Sequence, residues 1–523
     1  MDLYLKLILF FIISILYFWS VTGYGKILTN KNSNYFETYL DGTILLLILS
    51  YIIYLTIGTN LIINSTILFI GLFLNFFNTK IFKNITHKSF LLLFLSIFLI
   101  LVISKTHEDF NNYHFFSINE IFNHNLRIGI SKLNGYFIHI SLLTHNQSLL
   151  VLPYFKFKLV HLPIFLIYFS TLGYFITILF EKKVKTDEVF YSLLCVFILL
   201  IKFNRLSEYG YDYISHFILL IVFHKIYFLN SDNSEVVKSI LYFVLTVLIK
   251  PISLLFLPLM FFILYKKGFL FLKSIPKSRY FLIFTLMIVL FSSSLFKTGC
   301  IFYPVNKTCF SAEVISWSKK DSLKNYSEIV TLWAKGYWVQ DNSKYEKIND
   351  TKIFLQNFKW FKFWIEKHFF YKIFEFLLII IGSVILIYIY FKKDKSTLGR
   401  NNKDTLVMFL LSLFSILFWL NTVPQFRFGF SSIIIFTYLS CKYFVNLNIY
   451  FSKKKFFHLL ILGLLVLNIK NVDRIISEFE RNDFYKFKNF PFYNEKIIKN
   501  DYTNFNIKKF LHIEIIEKTK INN

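Results

Sequence analysis

FLLLFLSIFLILVISKTHEDFNNYHF, residues 90–115, joins two kinds of chemistry that set the reading of the whole chain. Its first part, up to Ser104, is an apolar run of the kind that crosses a bilayer. Its second part, Lys105 to Phe115, puts the adjacent carboxylates Glu108 and Asp109 between His107 and His114. Burying charge without a partner is costly, so such a group at the mouth of a span sits in water or in a polar pocket. The run predicts a membrane helix, and the loop after it is a candidate reaction site.

Similar apolar runs recur from end to end of the 523 residues, which are 55% hydrophobic and only 17% charged. Soluble domains carry about 25% charge, so length here reads as span count rather than domain count. Spans are predicted at 4–21, 42–58, 61–78, 89–104, 157–180, 187–203, 213–229, 238–250, 251–265, 280–296, 371–391, 405–420, 428–446 and 456–469. The first lacks a basic N-region and a small-residue cleavage site, so it is kept as a span and not as a signal peptide. The pair 238–265 is one apolar run broken by Lys250-Pro251, and a break of that kind lines a cavity or is packed in protein. The predicted fold is an all-α polytopic membrane protein of about 13–14 transmembrane helices.

The net charge of +27 does not point to nucleic acid, because the lysines lie in short loops between spans instead of on one soluble face. Loops 79–88, 181–186, 266–279, 392–404 and 447–455 are short and basic, and the positive-inside rule makes all five cytoplasmic. The span list allows this if 115–155, interrupted by His139, His145, Asn146 and Gln147, does not cross and instead forms amphipathic helices at the outer interface. The polar tracts 105–155, 204–212, 297–370 and 421–427, with the Lys250-Pro251 break, then share the outer face. The domains predicted are N-terminal spans 1–104, the acidic loop and interfacial helices 105–155, central spans 156–296, an external loop domain 297–370, C-terminal spans 371–470 and a polar tail 471–523. Cys195 and Cys441 sit in apolar runs as packing residues. Cys300 and Cys309 are either a disulfide or two free thiols.

Asp109 next to Glu108 suits a general base, with the second carboxylate raising its pKa or helping to hold a metal. The competing reading is a solvated acid pair at a helix start. Arginine is scarce, seven against 51 lysines, yet Arg127, Arg205 and Arg427 all fall at predicted external ends. Its fork binds phosphate in a way lysine does not, although each one singly also suits a headgroup anchor. NRLSEYGYDY (204–213) offers Glu208 and Asp212 beside Arg205, and Lys250 is a charge inside an apolar run. Of five tryptophans in the external loop, Trp333 and Trp338 are the candidate ligand neighbours, whereas Trp360 and Trp364, four apart, suit the membrane interface.

No Walker A, dinucleotide-binding, HExxH or GxSxG motif and no zinc-spaced Cys/His set occurs in the chain. An acidic pair in an external loop after a span, then interfacial helices, many spans and a later external domain resembles the GT-C class of membrane glycosyltransferases. HEDFNNYHF, RLSEYGYDY, GCIFYP and PQFRFG are also similar to a large group of uncharacterised bacterial multi-span proteins. The resemblance implies transfer of a sugar from a polyprenyl-phosphate donor to a glycan or lipid acceptor at the outer face, in a bacterial inner membrane. It implies Asp109 as base and Glu108 as its helper or a metal ligand. The residues themselves, and not the resemblance, offer the candidate substrate contacts: His107, His114, Arg127, Arg205, Glu208, Asp212, Lys250, Trp333, Trp338 and Arg427. No cofactor is expected, though a divalent metal would suit Glu108 and Asp109, and the partners expected are membrane lipids and not nucleic acid. The alternatives are an O-antigen-type polymerase or ligase, or a lipid-linked sugar flippase.

Overall fold

Each predicted span falls on a helix. In chain order the helices are α1 (Leu3–Leu28), α2 (Tyr35–Thr56), α3 (Leu61–Phe77), α4 (His87–Ile97), α5 (Phe115–Asn123), α6 (Leu143–Ser148), α7 (Leu162–Phe180), α8 (Thr186–Lys202), α9 (Tyr211–Phe228), α10 (Asn233–Ile249), α11 (Leu257–Lys267), α12 (Lys277–Thr298), α13 (Lys320–Ala334), α14 (Thr351–Leu355), α15 (Trp360–Trp364), α16 (Phe374–Phe391), α17 (Lys403–Thr422), α18 (Phe426–Val445) and α19 (Lys453–Arg481). Three short strands, β1 (Arg127–Ile128), β2 (Phe505–Phe510) and β3 (Ile513–Lys518), complete the fold. The computed structural model describes residues 3–29, 34–77, 87–101, 114–133, 137–138, 141–181, 184–202, 211–303, 305–337, 351–392, 403–445, 449–481, 505–510 and 513–518.

Six helices among the described residues are long and apolar enough to cross a membrane: Tyr4–Leu28, Tyr35–Thr56, Phe157–Phe180, Lys277–Thr298, Trp360–Phe391 and Lys403–Thr422. That is fewer than the 13–14 expected. α3 and α4 are apolar but shorter. α9 and α10 carry Asp212, His216, His224, Lys225 and Lys238, and all five are buried. Charge of that kind is tolerated in a bundle interior, where partners replace water.

α7, α8 and α9 are buried almost throughout and form the centre. The outer helices turn large apolar side chains outward, among them Ile8, Phe73, Phe281, Leu378, Phe414 and Leu465. Lipid tails solvate such a surface and water does not. α1 and α2 touch backbone to backbone: a Cβ on Gly25 would stand 1.8 Å from the Thr38 carbonyl oxygen, and one on Gly42 1.9 Å from that of Val21. Small residues at helix crossings allow this approach.

Helix ends fall into two sets. On the basic-loop side, Lys266 pairs with Asp404 at 2.7 Å, Lys442 with Asp187 at 2.7 Å, and Tyr450 N–H donates to the Phe391 carbonyl at 2.7 Å. On the other side, Lys202 pairs with Glu375 at 3.0 Å, Gly129 N–H donates to Phe296 at 2.6 Å and Trp364 Nε1 to Pro424 at 2.5 Å. Each contact joins segments that the loop charges assign to one face, as a membrane-spanning bundle requires.

Two segments differ from expectation. Residues 141–152 do not lie along an interface; all are buried. Asn146 donates to the Thr43 carbonyl (3.2 Å) and accepts from Ser50 Oγ (3.1 Å), both on α2. At about 1.5 Å per residue those partners lie about 9 to 20 Å in from the Thr56 end of α2. Asn64 of α3 caps the carbonyls of Ser148 and Val151 at 2.8 and 3.0 Å, and Gln147 donates to Val160 at 2.9 Å. The polar run is therefore a plug, because α2, α3 and the turn leading into α7 supply the hydrogen bonds that water would supply at a surface. The tail, expected as polar chain, folds back as a hairpin, with β3 parallel to β1 (Arg127 opposite Glu514) and antiparallel to β2. Cys300 and Cys309 form a disulfide, which closes the alternative the sequence left open.

Candidate functional site

The break in the predicted span pair 238–265 is real and creates the site. Pro251 lacks an amide proton and disfavours helix in the residue before it, so α10 stops with Lys250 extended at φ −151° and ψ 111°. The chain resumes as a tight turn over Pro251–Phe256. The Lys250 ammonium then meets the Asp212 carboxylate at 2.9 Å. Asp212 lies in the first turn of α9, where the helix dipole favours an acid.

Arg427 arrives from the first turn of α18. Its Nε stands 3.7 Å from the second Asp212 oxygen and donates to Gln425 Oε1 at 3.1 Å. The turn before it is fixed by two indoles, Trp419 donating to the Gln425 carbonyl (2.9 Å) and Trp364 to that of Pro424. Trp333 of α13 lies under the guanidinium, 4.8 Å from ring centre to Cζ, and its own carbonyl meets His368 Nε2 at 3.2 Å. Trp364 and Trp360 are buried struts of this wall and not interface anchors, with the Lys335 ammonium 4.7 Å above the Trp360 ring. Burial pushes Lys335 below the usual lysine range.

On the other flank, Tyr211 donates its hydroxyl to Gln147 of the plug, and the His114 ring meets the Tyr211 ring edge-on at 4.6 Å. One turn deeper, His216 Nδ1 and Ser431 Oγ, 2.7 Å apart, tie α9 to α18. His145, in the plug, is wedged between Tyr51 and Tyr54 at 5.2 and 5.1 Å.

Four predicted site residues far apart in sequence thus meet: Asp212, Lys250, Trp333 and Arg427, with His114 one residue contact away through Tyr211. The side chain of Asp212 is 9% exposed, that of Lys250 18% and that of Arg427 34%. Two cations on one sunken carboxylate leave a surplus positive charge facing outward, which suits a phosphate or other anion. Arg127 is differently placed. Its guanidinium is buried between Glu120 and Glu514, the latter at 2.6 Å, so it pins the hairpin to α5 and has no charge left over for substrate. His107, Glu108, Asp109, Arg205, Glu208 and Trp338 lie outside the described residues, and with Glu108 and Asp109 the suggested metal position.

Tyr211, Gln147, Gln425 and His216 were not singled out from the sequence, although PQFRFG and the polar run of 144–148 contain two of them. Fold and site together define a helical membrane protein with a cation-rich site at the end of the bundle opposite its basic loops. The chain belongs to the family described as Domain of unknown function (DUF8201), whose model matches residues 3–434 and so includes every member of the Asp212 cluster. No curated protein and no solved structure matches the chain significantly.

Proposed function

We propose that the protein is a GT-C-type glycosyltransferase of a bacterial inner membrane, moving a sugar from a polyprenyl-phosphate carrier to an envelope glycan or lipid at the outer face. The observation that carries this is the meeting of Lys250 and Arg427 over one carboxylate, on the side opposite the basic loops and next to His114, which closes the Glu108–Asp109 loop. In this reading Asp109 takes the proton of the acceptor hydroxyl, which attacks the anomeric carbon while the carbon–phosphate oxygen bond breaks. Lys250 and Arg427 stabilise the departing lipid phosphate, where negative charge accumulates. Trp333 offers a flat face to the sugar, and Asp212 keeps both cations aimed.

The test is transfer of a labelled sugar from a synthetic polyprenyl phosphate by the purified protein, wild type against Asp109→Asn. Transfer that is lost in the variant, with normal membrane insertion, is expected. Full transfer by Asp109→Asn rejects the base assignment, and movement of the lipid without bond formation replaces the enzyme with a flippase. The surplus of cations favours one second reading, a polymerase or ligase acting on lipid diphosphates. There Arg427 variants would lose activity and Asp109 variants would not.

A further inference from the structure

At the opposite end of the bundle lies a second group of ionisable residues. α2 begins at Tyr35, seven residues before the predicted span, and so brings Glu37 and Asp41 inside. Lys225 of α9 bonds Glu37 and Glu235, the latter on α10. Lys238, also on α10, stands 3.8 Å from Glu37 and 3.9 Å from Asp41. Glu37, Asp41, Lys225 and Lys238 are each at most 4% exposed.

The two acids are not equivalent. Glu37 is engaged by Lys225 and closes a capping box with Asn34. Asp41 accepts from the Tyr242 hydroxyl through Oδ1 at 2.9 Å. Its Oδ2 is buried and makes no hydrogen bond among the described residues. Lys238 lies beyond hydrogen-bond range of that oxygen, near enough to act by charge alone. A polar oxygen left open in a bundle interior costs stability, and groups kept at that cost inside a membrane are functional candidates. The other charged group near it is Arg279 of α12, whose guanidinium donates to the Leu28 carbonyl at 2.5 Å; Tyr174 of α7 belongs to the Lys225 end of the cluster, its ring 5.5 Å from that ammonium. On that side Val21 and Gly25 of α1 pack against α2.

There is also a way in. Glu235 is 22% exposed at the head of α10 and is tied through Lys225 to Glu37, one turn of α2 from Asp41, so the cluster reaches the basic-loop face to within that last gap. A second branch runs from Glu188 through His224 (2.9 Å) to the Tyr174 hydroxyl (2.8 Å).

We propose that this cluster is an intramembrane proton-exchange site, in which Asp41 takes up one proton from the basic-loop face. The proton goes onto the open oxygen, the carboxylate becomes a neutral acid, and the cluster gains one unit of positive charge. Release reverses each step. Glycosyl transfer requires no such site, so the proposal stands apart from the function proposed above.

Infrared titration of the full-length protein in nanodiscs, with aspartate carboxyls isotopically labelled, tests it. Every labelled aspartate protonates as pH falls, so the reading is the difference between wild type and Asp41→Asn: one further titrating protonated-carboxyl component is expected in wild type and in Glu235→Gln, and is missing from Asp41→Asn. Lys238→Met, which removes the nearest cation, should move the midpoint upward by about one to three pH units. A wild-type band made up of solvent-exposed carboxyls alone, with no component at the higher frequency of a buried acid, overturns the proposal whether or not any variant folds. So does a band indifferent to Asp41→Asn, or a midpoint that shifts when sodium replaces potassium, which would make the ligand an alkali cation.

Discussion

Replacing Asp212 by Asn tests the site at its pivot. The change keeps shape and removes the one negative charge that Lys250 and Arg427 share. Breaking a fully buried ion pair costs about 3–5 kcal/mol, while an exposed pair contributes at most about 1 kcal/mol. Here the carboxylate is buried but its partners are 18% and 34% exposed, so water takes over part of their solvation. A loss of about 2 kcal/mol is the expected outcome. Thermal unfolding followed by tryptophan fluorescence reads it, since Trp333, Trp364 and Trp419 border the cluster. Lys250→Met alone should cost less, because Asp212 keeps Arg427. The double variant should recover about 1 kcal/mol relative to the sum of the singles. The sign on ligand is opposite: with two uncompensated cations, Asp212→Asn should bind inorganic diphosphate more tightly than wild type. Stability within about 0.5 kcal/mol of wild type, additive singles and unchanged diphosphate binding would together refute the cluster as described.

Other expectations follow from the same contacts. Gly42→Leu places side-chain atoms where the Val21 carbonyl stands, forcing α1 from α2; the loss should exceed about 3 kcal/mol and appear as a lowered yield of folded protein. Maleimide labelling of the denatured protein should count two thiols before reduction, from Cys195 and Cys441, and four after it; four already before reduction would deny the Cys300–Cys309 bond. Arg127→Gln leaves Glu120 and Glu514 facing each other without a cation, at a cost of about 3 kcal/mol. Limited proteolysis should then remove the C-terminal hairpin faster than in wild type, and equal rates would count against the pin.

The helices were legible because apolar length is a coarse signal: all the predicted spans find their helix, most within a few residues. The misses share one cause. Hydropathy treats Glu37 and Asp41 as loop residues and starts the tenth-helix span only at Lys238, whereas pairing inside the bundle lets α2 start at Tyr35 and α10 at Asn233. The same blindness turned 141–152 into a surface helix, since no single stretch reveals that Thr43, Ser50, Asn64 and Val160 wait to bond it. Of the residues that meet at the cluster, Lys250 stands out in the sequence as a charge inside an apolar run, Asp212 as part of the polar stretch 204–213, and Arg427 by its rarity. Gln425 and Tyr211 lie inside quoted stretches, PQFRFG and NRLSEYGYDY, but drew no role of their own because ordinary residue types acquire one only through position. Arg127 shows the opposite failure: scarcity marked it, but a partner 387 residues away, Glu514, takes its charge.

Sidedness decides the account, and cysteine accessibility in right-side-out vesicles measures it most directly. In a background of Cys195→Ser and Cys441→Ser, Asp109→Cys and Arg427→Cys should both react with a membrane-impermeant maleimide added outside. Lys273→Cys, in a basic loop, should react only after permeabilisation. Labelling of residue 109 and residue 427 from opposite faces would contradict the shared site.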